Sequence, residues 1–217
     1  MNNSIGNTGR LLWAGLRALL LLTVVCGVLY PFAVTGVAQA AFHDKANGSE
    51  IKDADGTVVG SSLIGQSYTD KDGDADLKWF QGRPRNGLGE NSVNTQYELI
   101  LSGATNLAGD NKDLIKQVKD AQAAVVKDNS TATYQVKPSD VPADAVTSSG
   151  SGLDPAISPA YADLQVHRVA ERNGLTVAQV QKLVDAHERG RQLGFMGEPT
   201  VNVLELNVAL RELASRS

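Results

Sequence analysis

SPAYADLQVHRVAERNGLTVAQVQKLVDAHER, residues 158–189, decides the fold. Ser158 is a capping residue, and Pro159 stands at the first helical position, where a missing N–H costs nothing. Asn173-Gly174 ends that helix, because glycine enters the left-handed conformation freely. Thr176 with Gln179 forms a capping box for a second helix over 177–189, whose Val177, Val180, Leu183 and Val184 share a face. Asn202 with Glu205 repeats the device, and Val203, Leu206, Leu210 and Leu213 make the buried stripe of a third. The last third of the chain is therefore predicted helical.

Upstream the period changes. TVVGSSLIG (57–65) is β-branched and bounded by glycine, and TQYELILSG (95–103) reads the same way, so both are predicted strands. TATYQVKPSDVPADAV (131–146) predicts a short strand stopped by Pro138 and a turn at Pro142. Between them KDLIKQVKDAQAAVVKD (112–128) is an amphipathic helix with Leu114, Ile115, Val118 and Val125 on one face. YTDKDGDADLKWFQGRP (68–84) is an acidic loop running into an aromatic pair and a turn at Gly82 to Pro84. Strands precede helices, which makes α+β the expected class.

The amino-terminal end differs in kind. Arg10 and Arg17 are the only charged residues before His43, and Ala18 to Phe42 is 25 residues without a charge. About 20 apolar residues span a bilayer as a helix. Pro31 and Gly27 would soften it, as membrane helices tolerate. The basic residues precede the run, so that end is expected in the cytoplasm and the rest outside. A cleaved signal peptide is the rival: its core would be Ala18 to Leu29, with AQA at 38–40 as the small-x-small cleavage pattern. Both readings export the main domain. The expected division is a tail (1–10), an anchor (11–41) carrying Trp13, Leu19, Leu22, Val25, Leu29, Tyr30 and Pro31, a polar linker (42–56) and an α+β extracytoplasmic domain (57–217).

Beyond the anchor the chain holds 18 Lys/Arg against 24 Asp/Glu, a net charge of −6. That balance argues against a nucleic-acid partner, which needs a basic face. RVAERNGLTVAQV (168–180) has the spacing of a DNA-reading helix-turn-helix, but an acidic exported domain is the wrong setting. Cys26 is the single cysteine, so no disulfide and no thiolate zinc site can form within the chain. His187 lacks a second histidine four residues on, which removes the helical zinc-protease pattern. DKDGDAD (70–76) fails as a calcium loop, with Ala75 and Gln81 where glycine and glutamate are required. It resembles the phosphorylated Asp-Lys-Thr-Gly of ion pumps only superficially, since Asp72 replaces the threonine. LSGATN (101–106) shares only Leu-Ser-Gly with the transporter-ATPase signature, and no Walker motif occurs. Ser148, Ser149 and Ser151 are candidate nucleophiles in a loop of small residues, without the Gly-x-Ser-x-Gly elbow. No catalytic or metal-binding set is expected.

Tyr30-Pro31, GSSLIGQSY (60–68), WFQGRP (79–84), LSGATNL (101–107), VPADAVTSSGSGLDPAISPAYADLQVHRVA (141–170) and GRQLGFMGEPTVNVLELNVAL (190–210) occur in this order. Together they resemble the C chain of the Kdp-type potassium-transporting ATPases over nearly the whole length. RNGLGENSV after the Gly-Arg-Pro turn, the acidic DKDGDAD and the SGATN variant depart from the family pattern. The resemblance implies a non-catalytic accessory subunit of a high-affinity potassium pump, needed for assembly, stability and coupling. It implies as partners a potassium-path subunit, an ATP-hydrolysing subunit, a small membrane subunit and the lipid bilayer. ATP and K+ would be handled by the complex, with no cofactor of this chain's own. The apolar segment is then retained as a single-pass anchor in the cell membrane. Gly82, Arg83, Pro84, Ser149, Gly150, Ser151, Gly152 and Asp154 are expected to contact other subunits. Two alternatives are a catalytic chaperone that raises ATP affinity, through nucleotide contact at Ser102 and Gly103, and a secreted enzyme freed by signal cleavage.

Overall fold

The computed structural model describes residues 5–90 and 100–216, and the chain divides into two compact units between Ser49 and Glu50. The first unit is helical. Helix α1 (Ile5–Val24) passes through a π turn (Val25–Leu29) into α2 (Tyr30–Ala41), followed by the short α3 (His43–Ala46). Pro31 explains the π turn. It cannot donate to the carbonyl four residues back and its ring crowds that carbonyl, so the wider turn lets the helix continue. Gly6–Ala41 is 36 residues long, about 54 Å at 1.5 Å per residue, and is long and apolar enough to cross a membrane. Trp13, Leu19, Leu22, Val25, Leu29 and Tyr30 are all exposed along it, and the Arg17 guanidinium lies 5.0 Å from the Trp13 ring centre. The helix runs unbroken through AQA at 38–40.

The second unit mixes helices with three small antiparallel sheets among the described residues. β1 (Glu50–Lys52) pairs with β2 (Val58–Ser61) around a bulge, and β3 (Gly89–Glu90) pairs with β4 (Ile100–Leu101). β5 (Ala156–Ile157), β6 (Glu188–Arg189) and β7 (Thr200–Asn202) form the third sheet in the order β5-β7-β6. The helices are α4 (Lys112–Asn129), α5 (Pro159–Asn173), α6 (Val177–His187) and α7 (Val203–Ser215). α5 is the central one, buried on more than one face, with Tyr161, Ala162, Val166 and Val169 in a core shared with Val180, Val184, Leu206 and Leu210.

The caps form as the sequence dictates. Ser158 Oγ accepts from Tyr161 N at 3.1 Å, Gly174 turns left-handed at φ +67°, and Thr176 and Gln179 complete their box. Several details differ. Residues 50–56, expected in a linker, make β1 and an Asp53 turn whose Oδ1 accepts from Thr57 N at 2.9 Å. The strand expected from 57 stops at Ser61, and most of the one expected over 95–103 lies outside the described residues. No strand forms at 131–137: Ser130 Oγ accepts from Val136 N and Thr131 N donates to Tyr134 O, so side chains and a local turn replace a ladder. The second helix ends at His187, because Glu188 and Arg189 leave it to pair with Val201 and Thr200. Ile115 and Val177, expected on the buried faces, are exposed, each near the amino-terminal end of its helix. Asn202 caps α7, but Glu205 returns no bond; its carboxylate takes Arg189 instead.

Candidate functional site

The sequence candidates far apart in the chain meet at one junction. Arg83, in an irregular stretch after the WFQ segment where the turn expected at Gly82 to Pro84 does not form, crosses to the Ser/Gly loop before β5. Its Nη1 donates to Asp154 Oδ2 at 3.0 Å, and its Nε and Nη2 reach the Thr147 and Ser148 carbonyls at 3.3 Å. Arg85 follows the same course, donating to Gly152 O at 3.3 Å and to Ser67 Oγ at 2.8 Å. From the third side Ser102 Oγ and Gly103 N both donate to Ser151 O, at 3.1 and 3.0 Å.

Small residues are required where these backbones cross. A Cβ on Gly103 would stand 2.6 Å from Gly87 O, and one on buried Gly152 would stand 2.7 Å from Leu88 Cδ2. A Cβ on Gly65 would run into the Asp154 carbonyl, and Gly65 N already donates to Leu153 O at 2.8 Å. Gly103 and Gly152 therefore serve close approach of chain segments, whereas Gly150 faces open space.

The hydroxyls are turned inward. Ser149 Oγ accepts from Gly152 N at 2.9 Å and Ser151 Oγ from Leu153 N at 3.1 Å, as in short Ser turns. Gly82, Pro84 and Gly150 shape the connections and contribute no side-chain polar group. A cleft of about 240 Å³ beside the junction is lined by Asn86, Thr105, Leu114, Gln117, Thr147 and Ser148, among others, with no charged side chain in its wall. Gln117 Oε1, shut off from solvent there, has no partner among the described residues.

The histidines are engaged elsewhere: His167 stacks on Tyr134 with ring centres 3.9 Å apart, and His187 Nδ1 lies 2.8 Å from Leu183 O. Among the described residues no group of three or more His, Cys, Asp or Glu is arranged to hold a metal. In the acidic loop Asp70 Oδ1 accepts from the Asp72 and Asp74 backbone N–H groups at 2.9 and 3.0 Å, closing a turn.

Beneath the junction lies a polar clamp on the segment leading to Arg83. Phe80 is fully buried, and its N–H and C=O pair with the Asn207 side-chain amide, both at 2.9 Å. The Gln165 amide does the same for Gln81, at 2.7 and 3.1 Å. Two side-chain amides thus take up the backbone groups of Phe80 and Gln81, which belong to no strand. Arg168, 2% exposed, ties the set together. It donates to Asn129 Oδ1 at 2.8 Å, Gln165 Oε1 at 2.6 Å and Trp79 O at 3.0 Å, and also to Leu77 O. Burial pulls its guanidinium down, to about 10, partly offset by the neighbouring Tyr161 and Asp128 charges; burial pushes the Tyr161 phenol up, to about 12.

Comparison with known proteins covers both units. A family model described as the K+-transporting ATPase c chain matches residues 12–212. The chain belongs to the KdpC family. A Streptomyces avermitilis protein named Potassium-transporting ATPase KdpC subunit is 75% identical over 223 aligned residues, covering all of both chains. Its namesake in Streptomyces coelicolor is 66% identical over 99% of this chain and 98% of its own. One from Caulobacter vibrioides is 46% identical over 88% and 87%. The match runs from the anchor helix through the junction to α7.

Residue patterns singled out the arms of this KdpC junction but missed the clamp. Gln165, Arg168 and Asn207 look like polar-face residues on their helices. The available signal was that Tyr161, Gln165 and Arg168 follow at four- and three-residue steps on one face of a helix apolar on its other sides.

Proposed function

We propose that this chain is the non-catalytic accessory subunit of an ATP-driven potassium uptake pump, needed to assemble, stabilise and couple the complex. The observation that carries this reading is the junction itself. The Ser102, Ser149 and Ser151 hydroxyls bond to the chain's own backbone, and Arg83 and Arg85 are engaged by its own carbonyls and by the Asp154 and Ser67 side chains. Such a device holds a surface in shape. The domain docks outside the membrane on the potassium-path subunit, through the neighbourhood of Gly82, Arg83, Pro84 and residues 149–154. ATP is hydrolysed by another subunit of the pump.

The Gly6–Ala41 helix is the retained anchor, with its amino terminus in the cytoplasm. Arg10 and Arg17 at that end, followed by an uncharged run from Ala18 to Phe42, support this orientation. Purification of the complex from native membranes, with subunit masses and potassium-stimulated ATP hydrolysis recorded, tests the reading. We expect the uncleaved chain in the complex and loss of stimulated hydrolysis when it is left out. A mature chain beginning after Ala40 and free of other subunits would overturn it.

A further inference from the structure

Three large apolar side chains stand in solvent at one place in the domain. Leu193, Phe195 and Met196 are 83, 72 and 50% exposed, at the tip of the hairpin joining β6 to β7. The tip is built. Gln192 and Met196 exchange backbone hydrogen bonds, both 2.9 Å, and Gly194 N donates to Arg191 O at 3.1 Å. Arg191 closes on Glu198 at 2.8 Å and Arg189 on Glu205 at 2.5 Å, fastening the hairpin to itself and to α7. Gly194 and Gly197 take φ of +82° and +76°, where glycine is at home. Leu193 takes φ +53°, a conformation unfavourable for a leucine, which the hairpin maintains while that side chain faces water.

We infer that this tip seats in an apolar groove on the extracytoplasmic side of a membrane-embedded subunit of the same pump. The inference rests on the accessory-subunit reading above and deepens it by naming a contact. Size argues against a second copy of this chain: three side chains present a few hundred Å², while a stable free-standing interface needs about 800 Å² from each partner. A contact so small suffices when an anchor already holds both partners in one membrane, because the tether raises their effective concentration. Charge argues against a lipid surface. Both arginines at the base are closed by glutamates, and the chain beyond the anchor carries a net −6, a poor match to anionic headgroups. A neutral, preformed apolar tip fits a protein groove.

The test uses the whole pump. A Phe195→Cys substitution in a Cys26→Ser background places the chain's single thiol at the tip for a maleimide photocrosslinker. We expect an adduct at the mass of this chain plus one other pump subunit. An adduct of two copies of this chain, or with lipid alone, overturns the inference. In a second arm Leu193→Asn, Phe195→Ser and Met196→Ser are combined, asparagine being tolerant of the positive φ. Circular dichroism should show the variant folded, and its recovery with tagged partner subunits should fall at least tenfold. Recovery and potassium-stimulated hydrolysis at wild-type levels would overturn the docking role and leave the accessory-subunit reading standing. Failure of the wild-type chain to co-purify would instead overturn that reading.

Discussion

Arg168 and Tyr161 lie side by side in the core with opposite consequences for stability. Replacing Arg168 by methionine keeps the bulk but strands the acceptors on Leu77, Trp79, Asn129 and Gln165. Unfolding of the detergent-solubilised chain by urea should show a loss on the order of 3 kcal/mol. Tyr161 is visible in the pH dependence. Its folded pKa, about 12, lies above the ordinary value of 10.0, so it contributes stability that is complete below pH 10 and lost as pH rises through about 12. Arg168, pulled down to about 10, acts in the reverse sense, because the folded state escapes a buried charge as pH climbs past 10. Tyr161→Phe removes the first effect, together with the phenolate charge that partly offsets the burial of Arg168. The stability advantage of wild type over this variant should shrink by about 2–3 kcal/mol between pH 9.5 and 12, read from denaturant midpoints at each pH.

Elements closed by local chemistry follow their sequences closely, and those closed from a distance do not. The α5 and α6 caps are local, and they form where Ser158, Gly174 and the Thr176–Gln179 pair put them. A comparison of two glycines expresses the difference energetically. Gly174→Ala meets only open space and pays for its positive φ alone, about 1 kcal/mol. Gly103→Ala must push the Gly87 carbonyl aside, so its melting temperature should drop by clearly more than that of Gly174→Ala when both are scanned calorimetrically. The sequence carried both arms of the junction, as turn residues, but not their meeting, since nothing local pairs Arg83 with Asp154 across 71 positions. The clamp escaped for a related reason. An amide that takes up the backbone groups of a distant segment looks, in sequence, like any surface glutamine or asparagine. The strand expected at 131–137 failed because β-branched residues register burial, and there Val136 packs into the core while its N–H bonds to the Ser130 hydroxyl rather than to a ladder.

At the scale of the molecule the dominant facts are an anchor helix without charge after Arg17 and an acidic domain. Asp70, Asp72, Asp74 and Asp76 hold part of that charge on one turned loop. In the assembled pump, neutralising all four to asparagine keeps the turn's acceptors but removes their field. The apparent potassium requirement should rise at low ionic strength and return to the wild-type value in about 0.15 M salt, as titration of potassium-stimulated hydrolysis would show. An unchanged requirement at low salt would show that this loop does not draw cations to the pump and leave the proposed accessory-subunit role untouched. The two tryptophans give such work a built-in optical readout. Trp13 lies in the anchor under Arg17, and Trp79 lies in the clamp between Tyr68 and Arg211, so each unit carries one emitter of its own. A Trp13→Phe chain would fluoresce from the clamp alone, and a Trp79→Phe chain from the anchor alone. Brominated lipid should quench only the latter, and urea should shift the emission maximum of only the former. Detachment from the bilayer and loosening of the domain could then be followed as two separate colours of one experiment.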